Sequence, residues 1–186
     1  MAESKELPQF PESYWRKTDI ESYPKLEEGI KVDVGIVGGG IVGITAAYLL
    51  AKQNVKVALI DAGEILNGTT GHTTAKITAQ HGLIYDEFIK HFGEEKAKLY
   101  YEAQMNAKDF IEETAKELSI DCEFEEQDAI IYTNSDDYIT QLETEKKAYD
   151  TLGIESELTD TIPIKAHHKK ALIMKKVADG EFEIYT

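Results

Sequence analysis

The residues Gly38-Gly39-Gly40-Ile41-Val42-Gly43 have the spacing G-x-G-x-x-G, between an apolar run and a stretch of helix formers. Each glycine has a physical task in that setting. Gly38 permits a tight turn out of a strand, Gly40 lets the backbone approach a ligand with no Cβ in the way, and Gly43 lets a helix pack closely on its sheet. The chemistry that follows is anion binding, because the first N–H groups of a helix, here from Ile41 and Val42 onward, lack internal partners and the helix dipole adds to their pull. No cationic side chain is needed. Asp61, followed by Ala62, closes a second apolar run 18 residues after Gly43. A carboxylate there can accept hydrogen bonds from the 2′- and 3′-hydroxyls of an adenosine ribose, and it would repel a 2′-phosphate, which disfavours NADP. Next comes Gly68-Thr69-Thr70-Gly71-His72-Thr73-Thr74, rich in hydroxyls and with one imidazole. These features point to an ADP-containing dinucleotide, and by themselves they do not separate FAD from NAD.

The elements that must hold these residues can be read from apolar patterning. Val32 to Val37 is apolar at nearly every position, as in a strand buried on both faces of a parallel sheet. A helix is predicted from Ile41 to Gln53, with Asn54 closing it in a left-handed conformation, and Val55 to Ile60 forms the next strand. Strand, glycine turn, helix and strand make one βαβ unit with a right-handed crossover. Residues 61 to 84 show no governing period, and long loops inside compact domains are usually functional. Apolar residues at Ala97, Tyr100, Tyr101, Ala103, Ala107, Phe110, Ile111, Ala115 and Leu118 predict an amphipathic helix over 94–118. Two strand-like pieces fall within 122–133. Ser135 can cap a helix that runs to Leu152 and stops at Gly153. Strands are expected at 154–158, 172–177 and 181–185. The fold class is α/β, with a Rossmann-like βαβ unit and the beginning of a mixed α+β domain. The expected divisions are an extended arm with aromatic anchors over 1–31, a dinucleotide-binding domain over 32–120 and the start of a second domain over 121–186.

Composition narrows the partners. The 186 residues carry a net charge of −15, a sign that repels nucleic acid and anionic lipid. Between Asp86 and Asp150 stand 19 acidic and 7 basic residues, read as solvated helix faces. Of the 20 basic residues only Arg16 is arginine, so bidentate clamps for carboxylate or phosphate are scarce. Cys122 has no second cysteine to pair with and is expected to be a small buried packing residue. No apolar stretch reaches the roughly 20 residues of a membrane-spanning helix, and no secretory leader opens the chain, so the expected compartment is the cytoplasm. No set of His, Asp and Glu has ligand spacing, so no metal site is expected. His81 is read as structural, and His167 and His168 as solvated.

The strings VDVGIVGGGIVGITAAYLL and VALIDAGEILNGTTGHTTAKITAQHG resemble the FAD-dependent oxidoreductases of the D-amino-acid oxidase and glycine oxidase superfamily. The stretch SYWRKT together with GTTGHTTAKITAQHG is similar to the branch in which a flavin domain of the glutathione-reductase type is followed by a Rieske [2Fe-2S] domain. The resemblance covers residues 12 to about 170 and is most specific before residue 110; ADGEFEIYT departs from it. It implies FAD as the cofactor, with Gly68, Thr69, Thr70, Gly71, His72, Thr73 and Thr74 on the flavin side. It also implies a small amine or hydroxy substrate, and reoxidation by O₂ or by an iron–sulfur acceptor. In dimethylglycine and sarcosine dehydrogenases a His in a similar segment is joined covalently to the flavin. Here His72 is open to three roles, namely such a bond, a non-covalent flavin contact, or a hydrogen bond within the loop. Members of the family are far longer, and one cysteine cannot hold a Rieske cluster of two Cys and two His. The expectation is therefore an N-terminal portion of a larger flavoenzyme, with any cluster held elsewhere. No catalytic acid or base stands out. An NAD-linked dehydrogenase and a non-catalytic fragment that binds FAD or ADP remain the alternatives.

Overall fold

The structure is a computed structural model, and it describes residues 13, 15, 20–163, 165–178 and 182–185. The chain divides into two compact units, Met1–Thr74 and Ala75–Thr186. Pro8, Pro11, Tyr14 and Arg16 lie outside the described residues.

In the first unit, residues 20–33 form no helix or strand and are mostly exposed. Two parallel strands, β1 (Val34–Val37) and β2 (Val57–Ile60), pair with Val34 opposite Val57 and Val37 opposite Ile60. The helix between them, α1 (Ile41–Lys52), is the crossover, and Asn54 follows its end at φ 59°, the left-handed position expected of it. The burial expected of β1 is not found. Its residues alternate between exposed and half-buried, and Val37 is 82% exposed. The reason is that, among the described residues, this sheet has two strands, so α1 and β2 cover little of its apolar surface.

Among the described residues, the second unit has three α-helices and a four-stranded sheet. The helices are α2 (Tyr85–Phe92), α3 (Glu94–Glu117) and α4 (Ile139–Leu152). The strands are β3 (Gln127–Thr133), β4 (Ser156–Thr159), β5 (Lys170–Ala178) and β6 (Phe182–Tyr185), in the order β4-β5-β3-β6. β5 runs antiparallel to β3 and β4, whereas β6 runs parallel to β3. Because strand side chains alternate, Ala129, Ile131, Leu172 and Met174 face a core with Tyr85, Ala97, Leu142 and Tyr149. Ile130, Tyr132, Ala171 and Ile173 form a smaller cluster with Ile162. No described helix is long and apolar enough to cross a membrane.

Several expectations are corrected here. The single helix over 94–118 is preceded by a second one, α2, which ends at Gly93 (φ 83°). Since α2 and α3 pack with α4, the division between units falls after Thr74 rather than after residue 120. Residues 121–126 are not a strand. Ser135 caps a short 3₁₀ turn, Asp136–Tyr138, which leads into α4; its Oγ accepts the Asp137 N–H at 3.3 Å. Gly153 ends α4 at φ 75°, as expected. Cys122 is exposed, in the irregular segment after α3. Two charged side chains are not on solvated faces. Lys108 is 3% exposed and donates to Glu126 at 2.9 Å, and Glu145 is 1% exposed.

Candidate functional site

The glycine turn joins β1 to α1, and two of its glycines cannot be replaced without moving the backbone. Gly38 has φ 107°, a conformation that L side chains rarely adopt. A Cβ on Gly43 would stand 1.9 Å from the Gly38 carbonyl oxygen and 3.3 Å from Leu59 Cδ1, so the absence of that atom sets how closely α1 packs on the turn and on β2. Gly40 is the N-cap of α1 and has no side chain with which to cap it. The first-turn N–H groups of Val42 and Gly43 therefore have no cap from this residue. The Ile41 N–H donates to Thr70 Oγ1 at 3.0 Å, and a Cβ on Gly40 would stand 3.3 Å from that same oxygen.

Asp61, just past β2, faces the same turn. Its Oδ2 accepts the Gly39 N–H at 2.7 Å, and its Oδ1 accepts the Gly63 N–H at 2.8 Å. These two backbone donors, Gly39 first, hold the Asp61 carboxyl below the usual carboxylate range. The group is exposed and ionised, and each oxygen keeps a further lone pair for another donor. The glycine turn and the acidic strand end are thus tied directly together.

The threonine-rich segment packs on the turn as well. The Leu66 N–H donates to the Gly39 carbonyl at 2.8 Å, and Thr69–His72 forms a 3₁₀ turn in which Gly71 is buried. His72 is exposed, and its Nδ1 lies 2.9 Å from the Gly68 carbonyl oxygen. Thr73 continues in extended backbone, and Thr74 after it is in neither helix nor strand; the Thr73 carbonyl accepts the Trp15 indole N–H at 2.8 Å, an aromatic anchor of the kind expected of the arm. Ala62 lies exposed beside Asp61. The structure therefore brings together, in one unit, Gly38, Gly40, Ile41, Val42, Gly43, Asp61, Thr70 and the 68–74 segment.

Gly39 was missed by sequence reasoning. It occupies a free position of the motif, yet its N–H and carbonyl tie Asp61 and Leu66 to the turn; the acidic residue downstream was the only available signal. His81 is exposed, with Nε2 3.4 Å from Gln104 Oε1. His167 is exposed as expected, but His168 is half-buried and both of its ring nitrogens are engaged.

A βαβ unit whose glycine turn, helix start and acidic strand end converge in this way defines a dinucleotide-binding protein. Residues 33–175 match the family described as FAD dependent oxidoreductase, and the chain belongs to that family; its cofactor is FAD. The chain is 53% identical over 169 residues to a Bacillus subtilis protein provisionally named Rieske 2Fe-2S iron-sulfur protein YhfW, covering 90% of this chain and 33% of that relative. It is 26% identical over 144 residues to the gamma-glutamylputrescine oxidoreductase of Escherichia coli, covering 77% of this chain and 34% of the relative. Among solved structures, glycine oxidase from Geobacillus kaustophilus shares the fold, with a TM-score of 0.62, 18% identity, and coverage of 80% of this chain and 40% of that one. The chain spans about a third of the length of the curated relatives it matches.

Proposed function

We propose that this chain carries the ADP-binding part of an FAD-dependent oxidoreductase that oxidises a small amine or amino acid at the C–H bond beside nitrogen. The observation behind this reading is the joint held by Asp61, whose carboxylate grips the Gly39 N–H while it retains acceptor capacity for ribose hydroxyls. Gly38, Gly40 and Gly43 keep the helix start free of side chains, and Val42 and Gly43 offer N–H groups to the pyrophosphate, while Thr70 Oγ1 holds the Ile41 N–H. Residues 69–74, His72 among them, line the flavin side, with His72 in non-covalent contact. When bound, FAD supplies the two-electron acceptor for such an oxidation. The chain's own residues bind and orient; none of them is assigned as an acid or base. The names of the relatives favour an amine or amino-acid substrate, and the Rieske name favours an iron–sulfur electron acceptor held outside these residues.

Asp61→Ala is the test. Titration of the purified protein with FAD, followed by flavin fluorescence, should show a weakening of about ten-fold or more, as expected when charge-assisted hydrogen bonds to the ribose are removed. Unchanged retention would overturn the ribose assignment. Saturable binding of NADH together with no binding of FAD would overturn the flavin reading as a whole.

A further inference from the structure

His168 lies in the connection between β4 and β5, and it was read from the sequence as a solvated turn residue. Its surroundings are different. Nδ1 is 2.8 Å from the Ala166 carbonyl oxygen, and Nε2 is 2.9 Å from the Asp160 carbonyl oxygen. The ring also meets Tyr132 of β3 edge to face, with centroids 6.3 Å apart at 79°. A carbonyl can only accept. A neutral imidazole carries one N–H and one acceptor nitrogen, so it can satisfy one of these carbonyls and must set a lone pair against the other; the imidazolium donates to both.

The geometry points to His168 as a proton-dependent staple: its doubly protonated ring closes the β4–β5 connection by joining Asp160 to Ala166, and loss of a proton releases one side. Among the described residues, no charged side chain hydrogen-bonds the ring. The Asp160 carboxylate pairs with Lys170 Nζ of β5, and Lys169 Nζ pairs with Asp136 Oδ2 at 2.6 Å. Lys165 and His167 are exposed on the connection itself, and Tyr132 presents its ring. Histidine is the side chain whose charge ordinarily changes between about pH 5 and 8, which sets the window of the test. The two ends of the connection have their own reporters. The Thr161 N–H donates to Thr159 Oγ1 at 3.1 Å, and the Lys169 N–H donates to the Thr133 carbonyl at 2.8 Å.

Two measurements on the full 186-residue chain test this. The first follows the ¹⁵N shifts of the ring nitrogens through a titration from about pH 5 to 8. The second follows amide exchange at Thr161 and Lys169, normalised to the intrinsic rate at each pH. Protection should be about five-fold greater in the acidic limb, the factor that corresponds to one hydrogen bond. The step should follow the His168 titration, vanish in His168→Gln and persist in His167→Gln. Protected amides at a pH where one His168 nitrogen is unprotonated would overturn the proposal, as would exchange that shows no step. If His168→Gln fails to fold, the ring shifts and the exchange of the wild-type chain decide the matter.

Discussion

Glu145 offers a quantitative test of how the second unit is held together. The helix α2 starts at Tyr85, and its N-cap, Ile84, has no side chain able to cap it. The missing acceptor comes from α4. Glu145 Oε1 accepts the Tyr85 N–H at 2.9 Å and Oε2 accepts the Asp86 N–H at 3.0 Å, from a side chain that is 1% exposed. Glu145→Ala leaves these two donors without an acceptor, at about 1–3 kcal/mol each. The variant also relieves the desolvation of a buried carboxylate, and the net expected loss is about 3 kcal/mol. Urea unfolding at neutral pH measures this loss, and faster amide exchange at Tyr85 and Asp86 localises it.

The pH dependence of the same residue follows from its surroundings. Burial pushes the Glu145 carboxyl above its ordinary value, the N–H groups of Asp86 and Tyr85 pull it down, and the charge of Asp86 pushes it up; the net direction is upward. A raised folded-state value means that this group's linked contribution is fully present below the unfolded value of about 4.3 and is lost as the pH rises through the folded one. Glu145→Gln keeps one acceptor and cannot ionise. The stability of the wild-type chain relative to that variant should therefore fall as pH rises from about 4 toward neutrality. A loss below about 1 kcal/mol in the alanine variant, with no change in exchange at residues 85 and 86, would refute the capping role. A wild-type advantage over Gln that grows with pH would refute burial as the dominant influence.

Further outcomes follow from the first unit and from the segment after α3. Gly43→Ala puts a methyl group where 1.9 Å separates it from the Gly38 oxygen, so α1 must shift; a loss of at least about 2 kcal/mol in urea unfolding, accompanied by weaker FAD retention, is expected. Asp61 has its carboxyl held low, so its grip on Gly39 should survive as pH falls past the unfolded value of about 3.9 and be lost only below it. Gly39 amide exchange normalised for pH reads that grip, and its loss at pH 5 would contradict the geometry. Cys122 is exposed, so a disulfide reagent should titrate one thiol in the native chain at a rate close to that of a free peptide thiol; protection until unfolding would contradict its placement.

The candidate site was legible because its signals are local. Gly38 and Gly43 are required by backbone conformation and close approach, which depend on neighbours within a few residues, and Asp61 follows at the interval that a βαβ unit sets. Asn54 and Gly153 were likewise readable as left-handed helix ends. Local signals failed where burial depends on distant partners. α2 has eight residues, too few to establish a helical period, and it is capped by a carboxylate 60 residues further along the chain. Cys122 is of a residue type usually buried, yet it is exposed, in the irregular segment after α3.

The sequence by itself determined the βαβ unit, its glycine turn and its acidic strand end, because φ, Cβ volume and hydrogen-bonding type act at short range. Only the tertiary structure decided that Gly39 is the joint between Asp61 and the turn, that Thr70 reaches the Ile41 N–H, that Glu145 caps a helix not its own, and that His168 bridges two carbonyls. Each of these places a polar group from one segment against a backbone group of another. Such pairings are set by how segments pack, and residue type leaves them open.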